Sequence, residues 1–363
     1  RKEKTVMKMK RRLAVLLCAV MLIPLAACGR KSAVSDDTKD PRDTPDNIES
    51  ETKVNFLVMG HDRAANLTDV IMIVTLDTKD GSMALTQVPR DTYVELDDYY
   101  YHKINGMFNY FIGKAKDNGS SSAEKDALTM CADYLSKHLD IKIHHSAVMD
   151  LDGFGDIVDA IGGVYMYIPY SMHYPDPGQN LYIDLPEGYC NMNGDQAEQF
   201  VRYRSGYVTA DLGRGDAQKM FMTAFIESAK KNVKLSNIDN IASIVLASVI
   251  TDVTVGDIVK YAKAVLSLDL SNITMMTLPG QAAMCNGASY YVMNRASVMG
   301  IMQKYYNIYK TAVDDSSFDK ERAFCNDDDP DMKAVYYADA SEMPANEHNA
   351  KDISDNDIDI PLY

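Results

Sequence analysis

The chain has 363 residues, 46% of them hydrophobic and 25% charged, which is ordinary globular composition. Its formal net charge of −15 is unevenly spread: residues 1–27 carry +6, residues 311–363 carry −11, and −10 is left for residues 28–310. A net-acidic body excludes a general nucleic-acid binder, which needs a basic face for phosphate. Six cysteines, twenty glycines and the lack of any repeat exclude disulfide-scaffold and collagen-like chains.

Residues 1–12 are strongly basic, and residues 13–27 are fifteen apolar positions interrupted by Pro24. A basic stretch, a short apolar stretch and small closing residues describe a secretory signal. No apolar run reaches the length of a conventional spanning helix. Leu25-Ala26-Ala27-Cys28 resembles the lipobox of bacterial lipoproteins, which implies cleavage before Cys28 and acylation there. The other reading is a signal-anchor with an incidental Cys28. Either puts the body at the outer face of the cytoplasmic membrane. Residues 28–52 hold no apolar period and read as a tether.

The folded body is expected over 53–310. Val54–Met59, Val70–Leu76 and Met83–Val88 are apolar runs that predict a strand ending at Gly60, a loop, and then a hairpin. Ala123–Leu139 has helical spacing, with Leu128, Cys131, Ala132 and Leu135 on its apolar stripe. A short helix over Phe154–Ile161 is stopped by Gly162-Gly163, and a strand over Val164–Ile168 is stopped by Pro169. Asp211–Lys231 predicts a long helix, and 241–265 two helices broken at Thr251-Asp252. Strands alternating with helices, plus a hairpin, give an α/β domain with a mixed central sheet flanked by helices. Residues 311–363 read as an acidic, disordered tail.

Arginine carries the first chemical signal. Residues 53–310 hold sixteen lysines but only six arginines: Arg63, Arg90, Arg202, Arg204, Arg214 and Arg295. Arginine's planar fork matches phosphate bidentately, whereas lysine is a point charge. Arg202 and Arg204 sit two apart in VRYR, so an extended chain would aim both at one face. Asp211, Arg214 and Gln218 form one stripe near a helix N-terminus, which itself favours anions. Arg90 follows Pro89 at a strand end. Asp62 and Asp69 bracket the loop between two apolar strands, where they are either turn residues or a seat for a hard cation; Mg²⁺ or Mn²⁺ is expected. Arginine and Mg²⁺ both suit a pyrophosphate. His144-His145 has no ligand motif beside it and reads as surface. The tyrosines at 99–101 are read equally as sugar-stacking or as surface packing.

Those segments also carry a resemblance. VNFLVMG with Asp62, then TDVIMIVTLD (68–77), QVPRDTYVEL (87–96), HKING (102–106), DLDGFGDIVDAIGGVYMYIP (150–169), NGDQAEQFVRYR (193–204) and DLGRGDAQ (211–218) together resemble the LytR-CpsA-Psr family. The similarity covers about 54–235 and continues weakly to 292. It implies a three-layer fold with a mixed central sheet. It also implies transfer of a glycopolymer from an undecaprenyl-pyrophosphate carrier to a peptidoglycan sugar hydroxyl, outside the membrane. By motif, Asp62 and Asp69 match the metal carboxylates. Arg90, Arg202, Arg204, Arg214 and Gln218 match the pyrophosphate-binding side chains. Lys103 and Asn105 match the segment lining the site, and Asp211 the acid that opens the last helix. Asp91 and Asp211 are the candidates for general base.

Two positions depart from the family pattern. Leu67-Thr68 stand where an arginine usually precedes the second metal aspartate, and Ala217 stands where a second arginine precedes Gln218. Arg63 is a possible replacement for one of them. A non-catalytic binder of polyprenyl-pyrophosphate or wall polymer, and a lipid-pyrophosphate hydrolase, are therefore kept as alternatives. The chain is expected to act as a monomer. Among the cysteines, Cys131 is expected as a buried thiol, Cys325 falls in the tail, and Cys190 and Cys285 are expected to pair.

Overall fold

The computed structural model describes residues 40–176, 181–203, 211–234, 236–285, 288–314, 316 and 347–354. Strands β1 (Lys53–Asp62), β2 (Leu67–Asp77) and β3 (Ser82–Gln87) pair antiparallel in sequence order. Their apolar runs are buried on both faces, with Phe56–Met59, Ile71, Ile73, Val74 and Leu76 all below 3% exposed. The first strand does not stop at Gly60 as expected. It runs on through a bulge to Asp62, so β1 and β2 form a hairpin whose turn is Arg63–Asn66, with Asn66 at φ 54°. Helix α1 (Met107–Asp117) buries Met107, Phe108, Ile112 and Ala115 and packs on α2 (Ala123–Leu139). The bounds of α2 are the expected ones, and Cys131 on its buried face is a free thiol whose pKa burial pushes up. Asp140 closes α2 in the left-handed conformation at φ 51°.

Strand β4 (His145–Met149) leads into α3 (Leu151–Ala160). This helix starts three residues before the expected point because the Asp150 side chain accepts the Gly153 N–H at 2.9 Å. Gly162 and Gly163, at φ 88° and 90°, end it as the sequence predicts. Strands β5 (Val164–Ile168), β6 (Met172–Asp176), β7 (Leu181–Leu185) and β8 (Gly188–Met192) make two ribbons, β5 with β8 and β6 with β7. Helices α4 (Gly194–Arg202), α5 (Asp211–Asn232) and α6 (Ile238–Ser248) follow, then the short strand β9 (Val249–Thr251) and α7 (Val255–Ser267). The break expected at Thr251-Asp252 is real. Thr254 and Asp257 restart the helix there as a capping box.

Four carboxylates line α3, and Asp156 stands among them. Partial burial first, then its neighbours Asp152, Asp159 and Asp150, raise its pKa to about 6. The folded chain therefore holds this proton more tightly than the unfolded chain, whose carboxyl titrates near 3.8. The group is neutral with respect to folding below about pH 4 and becomes a penalty as pH rises through 6. Asp156→Asn is expected to melt above the parent protein at pH 7.5 and level with it at pH 4. An equal shift at both pH values in thermal melts would show that charge is not the cause.

Strand β10 (Ile273–Thr277) precedes a third ribbon of β11 (Gly280–Cys285) and β12 (Ala288–Met293), then helix α8 (Arg295–Ile301) and a π-helical turn over Met302–Tyr306. The Tyr306 hydroxyl, fully buried, donates to Thr86 Oγ1 at 2.7 Å and lies 2.9 Å from the Ile73 carbonyl, pinning β2 and β3. Seven strands form one mixed sheet in the order β13-β10-β3-β2-β1-β4-β9, flanked by helices, where β13 is His348–Asn349. The chain divides into two compact units. Among the described residues, one holds those within 40–147 and 276–347, and the other those within 148–275 and 348–354.

Both ends of the body contain more structure than the sequence predicts. Within the stretch read as a tail, β13 adds an edge strand to β10. Helix α9 (Ala350–Ser354) then buries Ala350 and Ile353, and Ser354 donates to Glu227 at 2.7 Å. Within the stretch read as a tether, Arg42 pairs with Asp40 at 2.8 Å and Asp140 at 2.7 Å and lies 4.4 Å over the Tyr309 ring. Tyr309 in turn donates to Asp43, Lys142 pairs with Asp43 at 2.6 Å, and Ile48 bridges to Tyr309. Cys28 and Cys325 lie outside the described residues.

Candidate active site

The bulge in the first hairpin is what exposes a carboxylate. Gly60 pairs with Val70 and His61 with Thr68, so Asp69 is the extra residue and leaves the ladder. Its carboxylate accepts from Arg90 Nη1 at 2.5 Å. Arg90 arrives there because β3 ends at Gln87 and Pro89 cannot donate to a ladder. The Pro89 carbonyl accepts both the Thr92 N–H at 3.0 Å and the Thr92 hydroxyl at 2.6 Å, so Arg90 and Asp91 occupy a tight turn. Asp91 lies 3.9 Å from Arg90 Nε and 3.0 Å from Lys103 Nζ. Lys103 is set by its bridge to Tyr93, and Asn105 N–H donates to the Arg90 carbonyl at 3.2 Å. Opposite charges thus alternate along Asp69, Arg90, Asp91 and Lys103. All four side chains are partly buried, so the pairs are less screened than a surface ion pair.

Asn105 is fully buried beneath this cluster. Its carbonyl accepts the Thr68 hydroxyl at 3.0 Å, yet its side-chain Nδ2 and Oδ1 have no hydrogen-bond partner among the described residues. An unmatched buried amide costs about 1–3 kcal/mol, which a polar ligand or water would return. Asp62 is partly a turn residue: its Oδ1 accepts the N–H groups of Ala64 at 2.9 Å and Ala65 at 3.1 Å. Its other oxygen and the Asp69 carboxylate stand at the same end of the hairpin. Two hard oxygen donors of this kind suit Mg²⁺, which takes one or two protein carboxylates and fills its shell with water and phosphate oxygens. Among the described residues no group of three or more His, Cys, Asp or Glu is assembled as a metal cage. Arg63 is exposed in the hairpin turn.

The remaining expected residues belong to the other unit. Arg202 is not extended, as VRYR suggested, but is the last residue of α4 and pairs with Glu198 one turn back at 2.8 Å. The capping box of Asn193 and Gln196 starts that helix, and the i,i+4 spacing of Glu198 and Arg202 was a visible signal for its end. Asp211 opens α5, which also carries Arg214 and Gln218. Arg204 lies outside the described residues.

Both departures from the expected arginine pattern fall on buried positions. Thr68 is 0% exposed and braces Asn105, and Ala217 is 1% exposed on α5. Sequence reasoning marked Thr68 only as a place where an arginine is missing, not as a brace for Asn105. Its signal is a hydroxyl at the start of a strand whose centre is apolar. His144 is not bare surface either. Its Nδ1 accepts the Asn55 N–H at 3.0 Å, and burial first, then Lys142, holds its pKa down at about 3. Of the three tyrosines, Tyr99 is buried and donates to the Lys103 carbonyl at 2.6 Å, while Tyr100 is exposed. The expected bond between Cys190 and Cys285 does not form: Cys190 is a free thiol. Each cysteine is held in a separate ribbon, Cys190 opposite Met166 and Cys285 opposite Ala288.

Comparisons with known proteins identify the family and the fold. A family model described as the LytR_cpsA_psr family matches residues 21–306. The cell wall biosynthesis protein LcpA of Corynebacterium glutamicum is 28% identical over 65% of this chain. The matched stretch is about half of LcpA's own length, 47%. The polyisoprenyl-teichoic acid–peptidoglycan teichoic acid transferase TagU of Bacillus mycoides is 26% identical over 71% of this chain and 79% of its own. Among solved structures, that of B. subtilis TagV superposes with a TM-score of 0.54 at 23% identity, covering 69% of this chain and 95% of TagV. That similarity supports the fold.

Proposed function

The chain belongs to the LytR-CpsA-Psr family, and from that premise we propose that it moves a glycopolymer from an undecaprenyl-pyrophosphate carrier to a peptidoglycan sugar hydroxyl. The observation that carries the reading is the alternating cluster of Asp69, Arg90, Asp91 and Lys103 above the unmatched amide of Asn105. Transfer of a phosphoryl group needs little covalent help from the protein. It needs cations positioned where charge builds on the phosphate oxygens. Arg90 offers a planar fork for two of those oxygens, and Lys103 a point charge beside it. Asp91, 3.9 Å from Arg90 Nε and 3.0 Å from Lys103 Nζ, is the carboxylate we assign to accept the proton of an attacking sugar hydroxyl. Mg²⁺ or Mn²⁺, seated on Asp62 and Asp69, would supply further charge neutralisation. Arg90, paired with Asp69 here, would turn its guanidinium to the phosphate when that carboxylate is otherwise engaged.

Lipid attachment at Cys28 on the outer face of the membrane completes the proposal. It would bring the site to a lipid-borne substrate. No helix among the described residues is long and apolar enough to cross a membrane.

Incubation of the protein with a polyprenyl-pyrophosphate oligosaccharide, Mg²⁺ and peptidoglycan fragments tests the reading. A phosphodiester conjugate is the expected product. Release of free phosphorylated sugar would make the chain a hydrolase, and bound but unchanged lipid a carrier. A further expectation concerns Arg202. Arg202→Lys keeps the charge and loses the fork, and should lower turnover about tenfold or more. If lysine serves equally well at 202 and 204, these residues supply only a positive field.

A further inference from the structure

The ribbon of β5 and β8 has a face that transfer chemistry at the Asp69–Lys103 cluster does not use. The register sets Tyr167 opposite Tyr189 and Tyr165 opposite Asn191. These four share one face, because side chains alternate along a strand. Val164, Met166, Ile168 and Met192 take the other face and are buried. On the outer face, Tyr165 is 54% exposed and Tyr189 is 65% exposed. Their rings are near-parallel, 10° apart in plane and 5.6 Å between centroids, and Tyr167 meets Tyr189 edge-on at 5.1 Å. The Tyr167 hydroxyl lies 3.3 Å from Glu187. Three rings are therefore braced against one another while two of them stay open to solvent.

Local charge selects the occupant. Residues 164–192 contain six tyrosines, with Asp176, Asp184 and Glu187 as acids, and no lysine or arginine. An anionic polymer or an anionic bilayer would be repelled, and tyrosine at a membrane surface ordinarily comes with basic residues. A pyranose ring meets both features. Its apolar face carries polarised C–H bonds that fit the negative face of a tyrosine, and its hydroxyls donate to carboxylates. We propose that this face is a binding platform for a neutral pyranose chain, with Tyr165 and Tyr189 as stacking rings and Glu187 and Asn191 as partners of its hydroxyls. The platform goes beyond the proposed transfer, and its test reads binding alone, so either idea can fail without the other.

The full chain is titrated with three neutral oligosaccharides: hexamers of β-1,4-linked N-acetylglucosamine, of glucose and of mannose. Vesicles of equal parts phosphatidylcholine and phosphatidylglycerol are run in parallel. Saturable binding to at least one oligosaccharide is expected, with the ring resonances of Tyr165 and Tyr189 shifting during the titration. Tyr189→Ala should weaken binding about tenfold, and Tyr189→Phe, which keeps the ring, should match the parent. No saturable binding to any of the three, unmoved ring resonances, or equal affinity in the Tyr165→Ala/Tyr189→Ala variant would overturn the proposal. Vesicle binding that this double variant loses would also overturn it, since the face would then be a membrane surface.

Discussion

Asp69→Ala is expected to lower glycopolymer transfer by about a thousandfold while leaving the melting temperature nearly unchanged. Two effects combine in that loss. The variant removes one of the two carboxylates proposed to seat Mg²⁺, and it removes the oxygen that holds Arg90 Nη1 at 2.5 Å. Stability is spared because the bulge carries Asp69 out of the ladder and the carboxylate is partly exposed, so no buried charge is orphaned. Asp69→Asn separates the two effects. It keeps an oxygen for Arg90 but loses the negative charge a divalent ion needs. If Asp69 acts through the metal, the asparagine variant is as weak as the alanine variant. If it only props Arg90, the asparagine variant recovers most of the rate. Turnover in excess chelator provides the independent arm. Full activity there, or in Asp69→Ala, would remove the metal from the mechanism.

The largest stability effect is expected at the crossing of α3 and α4. A methyl group built on Gly194 would collide with the Gly155 carbonyl oxygen and sit 2.5 Å from its carbon, and backbone cannot swing aside. Gly194→Ala should therefore cost about 2–3 kcal/mol, toward the upper end for overpacking, and lower the melting temperature by about 5–10 °C. The reciprocal change behaves differently. A methyl on Gly155 would meet Gly194 at 3.5 Å, an ordinary contact, and Gly155 lies inside a helix. Gly155→Ala should be neutral or slightly stabilising, since alanine gains about 1 kcal/mol over glycine in a helix interior. Thermal melts of the two variants that shift alike would show that the crossing is looser than these distances describe.

The core was legible because its signals are local. The apolar runs of β1, β2 and β3, the stripe of α2 and the paired glycines after α3 each carry their own period or stop. The misses arise where a neighbour far away in sequence decides. Nothing in His348-Asn349 marks a strand: two residues have no periodicity, and they pair only because β10 offers an open edge. The clasp around Arg42 looks like any charged linker until Asp140 and Tyr309 are brought to it. At the site, residue types were readable and conformations were not. Asp69, Arg90, Asp91 and Lys103 stand in one chain of ion pairs, but Arg202 is helical, since a capping box nine residues earlier outweighs the alternating pattern of VRYR. Thr68 and Ala217, read as lost arginines, are buried positions in this chain.

The clasp also determines how the protein bears tension. If the chain is drawn from its N-terminal side, the pull reaches Arg42 before it reaches β1. The guanidinium is gripped by two carboxylates and seated on an aromatic ring, and Asp43 adds Lys142 and the Tyr309 hydroxyl. The contacts of Arg42 with Asp140 and Tyr309 and of Asp43 with Lys142 and Tyr309 cross from the pulled segment to the body and share the load, while Asp40 lies on the pulled side and orients the guanidinium. The force is handed to the end of α2 and to the Tyr309 segment. The hairpin that presents Asp69 is thereby spared that load, and a pull applied ahead of Asp40 need not distort the site.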